Sequence, residues 1–295
     1  MTRPRSQPSV FFAPLLLLGS MLSLTLGASI AKGLFPVLGA AGVTFLRLGI
    51  GTVILFAVWR PWRARIPREQ RGIIVVYGVV LGVMNLGFYE AIARLPVGIA
   101  IALEFLGPLS LAFFMSKGRL DVLWAMLALA GVVLLLPLTQ VQARLDVVGI
   151  VFALAAGAAW AAYIVVGKKA GADSHPGSVT ALGMLMGTLT AAPFGVVPVG
   201  AAVWTPAMAL AALAVGLLSS AIPFSLEMAA MRHLDSKTFG ILVSLEPAFG
   251  AVAAFLLLHE RLTWVQCLAI AGVMAASIGS TVTSRKEGSK DVVLN

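Results

Sequence analysis

Residues 42–52, GVTFLRLGIGT, return as SVTALGMLMGT at 178–188, an offset of 136 positions. The same offset pairs Lys32 with Lys168. Farther along, LPVGIAIALEFLGP (95–108) aligns with LDSKTFGILVSLEP (234–247) at an offset of 139, and LALAG (127–131) with LAIAG (268–272) at 141. Three matches in one order, with slowly rising offsets, describe a duplicated chain with halves of about 1–143 and 144–295.

The solvent of the repeated unit follows from composition. Hydrophobic residues make up 60% of the 295 and charged residues 11%, with a mean hydropathy of +1.00. A soluble domain carries roughly 25% charge, so this chain is built for lipid. Cut at its loops, it offers about ten segments long enough to cross a hydrocarbon core of about 30 Å: 11–31, 41–59, 72–92, 97–116, 121–139, 147–167, 177–199, 207–231, 237–258 and 263–283. The runs lack the in/out alternation of barrel strands, which leaves an all-α polytopic fold.

The net charge of +9 follows the membrane and not a nucleic acid. With the N-terminus inside, 16 Lys and Arg fall on the cytoplasmic side, five of them in the 59–72 loop (Arg60, Arg63, Arg65, Arg68, Arg71), against 4 outside. That bias predicts both termini in the cytoplasm. The N-terminal run is long for a secretory signal and reads as the first span. Cys267 is alone, so no intrachain disulfide forms. Five spans per half is an odd number, so the second half inserts upside down. Inverted repeats are the usual build of secondary transporters, because two mirrored packings give inward-open and outward-open states of similar energy.

Against this background a few polar residues require a reason. Pro108 and Pro247 are aligned by the repeat in the fourth helix of each half, where proline removes a backbone hydrogen bond and kinks the helix. Glu104 lies four residues before Pro108, and Glu246 directly before Pro247. Through the repeat, Glu246 corresponds to Gly107, three positions and about 60° from Glu104 around the helix. Both acids therefore leave nearly one face of related helices near mid-membrane. A charge there costs roughly 2.5–3.5 kcal/mol on insertion scales, so it belongs to a watery cavity or a partner. The plain alternative is a static buried pair.

Arg47, about two turns into the second span, supplies the opposite sign. It binds an anion or a carboxylate, or snorkels outward. Two acids and one arginine can grip a zwitterion, or let the acids carry protons; Glu246 is the foremost candidate for the proton. Weaker signals are Glu227, within reach of Arg232 or of water; Asn85 and Glu90 on the third span; and Trp160 and Tyr163 on one face of the sixth, lining a cavity or packing. Lys32 and Lys168 read as snorkelling at helix ends. His175, His233 and His259 have no metal-ligand spacing, and no Ser/His/Asp set or phosphate-binding glycine loop occurs, so neither metal, cofactor nor enzyme chemistry is expected.

The stretch SLEPAFGAVAAFLLLHERLT (244–263) resembles the end of an EamA-type repeat of the drug/metabolite transporter superfamily. GASIAKGLFPVLGAAGVTFLRL (27–48), VGIAIALEFLGPL (97–109), IPFSLEMAAMRHL (222–234) and GSTVTSRKE (279–287) are more narrowly similar to its bacterial threonine/homoserine exporters, which share Gly107-Pro108 where the general repeat has Glu-Pro. The resemblance implies ten spans in two inverted five-helix halves, with helices 1–4 and 6–9 around a cavity and 5 and 10 at its edge. It also implies efflux of threonine, homoserine and related analogues across the inner membrane against inward proton flow. Same-fold exporters of purines, aromatic amino acids or lipophilic cations remain the alternative, with an intramembrane enzyme a distant one; association as a homodimer stays open.

Overall fold

A computed structural model of the chain describes residues 12–95, 97–116, 118–135, 146–172, 174–243, 245–246 and 264–293. Among the described residues the secondary structure is helical, with no strand. The first helical run, Phe12–Trp59, is broken at Gly39 (φ 64°, ψ 174°), a backbone conformation that only glycine adopts at little cost. We label its two arms α1 (12–38) and α2 (40–59). The loop expected at 32–40 is therefore helix up to the kink. Gly39 is the one non-helical residue in the run; Pro36 lies inside the helix without ending it, as prolines in membrane helices can.

A 3-10 turn, Pro61–Arg63, leads to α3 (Arg68–Ile92), α4 (Val97–Phe114), α5 (Arg119–Leu135), α6 (Val147–Ala170), α7 (Pro176–Ala201), α8 (Pro206–Met231), α9 (Ser236–Val243) and α10 (Trp264–Val293). Five described segments are long and apolar enough to cross a membrane: Gly33–Trp59, Arg68–Ile92, Val147–Ala170, Pro176–Ala201 and Pro206–Met231. Pro247 and most of the ninth expected span fall at 247–263, outside the described residues.

Side chains explain the caps. Asp146 accepts the Val148 N–H at 2.8 Å to start α6, and Thr205 accepts the Met208 N–H at 3.2 Å to start α8. Large apolar residues face outward on these helices (Val53, Phe114, Val197 and Trp264 among them), as lipid contact requires and water would not allow.

Packing crosses between the halves. α3 lies against α6 and α7, α4 against α6 and α9, the α1–α2 run against α7 and α8, and α5 against α10. Thr52 and Thr188, which the 136-residue offset pairs, meet hydroxyl to hydroxyl at 2.9 Å on α2 and α7. Gly51 of α2 sits against Ser220 of α8, as Gly187 of α7 sits against Gly82 of α3.

Candidate functional site

The polar interior is built on α8. That helix starts as α-helix over Pro206–Gly216, loosens into a π-helical turn over Leu217–Ala221, and resumes as α-helix over Ile222–Met231. In the loose turn the Ile222 N–H reaches five residues back to the Leu217 carbonyl. Pro223, next in line, has no N–H to give. The carbonyls of Leu218 and Ser219 thus lose their usual partners inside a helix that lipid and protein enclose, where each unmet group is costly. Side chains from the other half meet both. Ser23 of α1 donates its hydroxyl to the Leu218 carbonyl at 2.6 Å, and the Arg47 guanidinium of α2 donates to the Ser219 carbonyl.

Arg47 is 3% exposed, so it does not snorkel. It also donates to Asn85 Oδ1 of α3, comes within 3.4 Å of Ser220 Oγ, and lies over the Tyr89 ring, 4.6 Å from its centroid. Asn85 is in turn fixed by donating Nδ2 to the Leu81 carbonyl at 2.7 Å. Every one of these partners is neutral. Nε of Arg47 is buried and unpartnered among the described residues. The guanidinium is positioned, yet no carboxylate among the described residues touches it.

One acid, Glu104, lies in electrostatic range of this charge, and two more, Glu246 and Glu227, follow it in a chain of like charges. Glu104 of α4, buried, feels the charges of Arg47 and Glu246, and Glu246 feels Glu227. Glu246 is half-buried, in the short helical stretch 245–246 beyond α9. Glu227 departs from the sequence expectation of pairing with Arg232 or reaching water. It is 6% exposed, and its carboxylate accepts from Ser20 Oγ of α1 at 2.9 Å and from Tyr163 OH of α6 at 3.0 Å. Arg232 is exposed at the end of the helix, outside that enclosure. Tyr163 stacks on Tyr77 of α3, with centroids 5.2 Å apart and planes 27° apart, so one acid joins four helices. Trp160 packs edge-on against Phe105, the residue after Glu104, at 4.8 Å.

The repeat's asymmetry has a steric cause. An added Cβ at Gly107 would stand 1.8 Å from the Gly157 carbonyl oxygen of α6, so no side chain fits where the second half carries Glu246. The Glu104 carbonyl is also packed closely, 2.5 Å from a Cβ built at Gly157. Pro108 is buried, its carbonyl 2.7 Å from a Cβ built at Gly240 of α9.

Two features escaped the sequence reading. Lys237 of α9 and Asp121 of α5 form a buried ion pair at 2.9 Å, tying the ends of helices from both halves. Lys168 does not simply snorkel: its ammonium donates to the Leu234 carbonyl, in the turn that follows α8. Glu90 pairs with Arg94 one turn on, at the surface.

The model of the EamA-like transporter family matches residues 147–282 of the chain. The "Threonine/homoserine exporter RhtA" of Escherichia coli (strain K12) is 48% identical over 278 residues, 94% of this chain and 94% of that protein, and its namesake from Salmonella typhimurium (strain LT2) is equally similar. An uncharacterized transporter of Archaeoglobus fulgidus is 24% identical over 238 residues, covering 79% of this chain and 83% of its own. A solved crystal structure superposes with a TM-score of 0.73 over 93% of this chain and 98% of its own; at 20% identity it speaks for the fold alone.

Proposed function

The chain belongs to the EamA-like transporter family as a multi-pass membrane protein, and from that premise we propose that it exports small amino acids, threonine and homoserine first, from the cytoplasm across the inner membrane. Transport is alternating access of two inverted five-helix halves, 1–143 and 144–295, with both termini cytoplasmic. Export of the substrate is exchanged for inward-moving protons, and the chain is no enzyme.

The observation that carries this reading is Arg47: a buried guanidinium held by neutral groups of α3 and α8, with an unused donor and no carboxylate in contact among the described residues. A charge so expensive to bury is stabilised when an anion arrives, and a free amino acid brings one. Its ammonium then faces Glu104 and Glu246, whose protonation on the outer side would release it. The interlocked α2–α8 and α7–α3 contacts, with Thr52 against Thr188, support the inverted halves. The identity to two proteins named as threonine/homoserine exporters supports the substrate class.

The test is competition in proteoliposomes. Threonine uptake into inside-out vesicles is inhibited by free amino acids and poorly by their amides. Arg47→Lys keeps part of the transport, because the charge remains while the planar fork is lost, and Arg47→Gln loses most of it. Equal competition by amides would remove Arg47 from the substrate site.

A further inference from the structure

We infer that Pro223 is a positioning residue for the substrate carboxylate, acting through Arg47 by withholding one backbone N–H from the Ser219 carbonyl. The inference rests on the reading that Arg47 binds that carboxylate. Three observations carry it. The π-helical turn gives the Ile222 N–H to Leu217 and Pro223 has no N–H, so the Leu218 and Ser219 carbonyls both lose their α-helical donors. Both are then met by side chains of α1 and α2, Ser23 at Leu218 and Arg47 at Ser219. One acceptor that holds Arg47 is main chain of α8, and Nε has no hydrogen-bond partner among the described residues.

A side-chain acceptor could rotate with Arg47 or bring a charge that neutralises it. A main-chain carbonyl does neither. It fixes one edge of the guanidinium, Asn85 fixes another, and the Tyr89 ring covers a face, which leaves the remaining donor for a ligand. π-helical turns recur at functional sites because they expose main-chain groups in this way. An alanine at 223 would return the N–H, let the α-helical bond to Ser219 form, and set the backbone in competition with Arg47.

The experiment compares two residues of one shape at position 223. Pro223→Ala restores the N–H. Lactic acid placed there by nonsense suppression has the same methyl group on an ester linkage and no N–H. In reconstituted protein, Pro223→Ala should raise the KM for threonine at least about tenfold with kcat little changed, as lost orientation of a charge-assisted hydrogen bond predicts, and should narrow the preference for threonine over threonine amide. The ester variant should keep the parental KM and preference. Failure of Pro223→Ala to accumulate while the ester variant transports normally supports the same conclusion.

A parental KM in Pro223→Ala, or an equal rise in both variants, overturns it; so does failure of both to accumulate, which would mean that the ring and not the missing N–H is what α8 requires. Arg47→Gln separates this from the underlying reading. If that variant loses threonine transport while Pro223→Ala is unaffected, only the role of Pro223 falls. If Arg47→Gln keeps the parental KM, the carboxylate site itself is misassigned.

Discussion

Tyr163→Phe removes a single oxygen from the network around Glu227 and leaves the ring stacked on Tyr77, so its effect reports the phenol's hydrogen bonding and not ring packing. Hydrogen bonds between membrane helices average about 0.6 kcal/mol and reach about 1.7. A fully buried phenol on a buried carboxyl belongs near the upper figure, and Tyr163→Phe should cost about 1–1.7 kcal/mol of unfolding free energy. Ser20→Ala should cost a similar amount, since its hydroxyl bonds the other carboxylate oxygen.

Glu227→Leu is the more severe change. It strands two buried hydroxyls, each worth about 1–3 kcal/mol when left unmet. In the Glu227→Leu background, Tyr163→Phe should then become neutral or stabilising, a coupling of about 1 kcal/mol or more. The assay is reversible unfolding of the purified protein in mixed micelles, followed by tryptophan fluorescence or circular dichroism. A cost for Tyr163→Phe under about 0.3 kcal/mol, with no coupling to Glu227, would refute the network and return Tyr163 to plain packing.

Other expectations follow from the same geometry. Gly107→Ala forces α4 away from α6, because its methyl would stand 1.8 Å from the Gly157 oxygen; thermal unfolding should show a loss of about 1–3 kcal/mol. Lys237→Met leaves Asp121 buried without that cation and should cost about 3–5 kcal/mol, while the double variant with Asp121→Asn recovers part of it in the same assay. For topology, in a Cys267→Ala background, cysteines at the exposed positions Gly200 and Val203 should react with an impermeant thiol reagent on spheroplasts, and those at Gly72 and Ala172 should not. Labelling at Gly72 from outside would contradict cytoplasmic termini.

Composition and repeat were enough to anticipate an all-α membrane fold, because lipid leaves the backbone few choices. The same economy made Arg47, Glu104 and Glu246 visible: charge in apolar sequence is rare, and the structure holds Arg47 among polar groups with Glu104 in electrostatic range of both Arg47 and Glu246. What stayed hidden depends on who faces whom. Glu227 lies close enough to a helix end that reaching water looked adequate, and only the approach of α1 and α6 encloses it. Asp121 and Lys237 each sit at a helix end, where counting loop charges treats them as surface. The π-helical turn had a signal, Pro223 inside a span just after Ser219 and Ser220, but the use of the freed carbonyl is settled by α2. Gly107 shows the reverse: its departure from the repeat was plain in sequence, and its cause, the backbone of Gly157, was not.

In the proposed cycle, outward movement of threonine is coupled to inward movement of protons through acids in the core. Purified protein in proteoliposomes, loaded with labelled threonine and exposed to an imposed pH gradient, tests it most directly when the parent is compared with Glu246→Gln in both gradient-driven flux and gradient-free exchange. The parent should move threonine against its concentration gradient when protons run the other way, and Glu246→Gln should still exchange threonine but gain nothing from the gradient. A parent indifferent to the pH gradient, or a Glu246→Gln variant equal to it in both assays, would contradict the account.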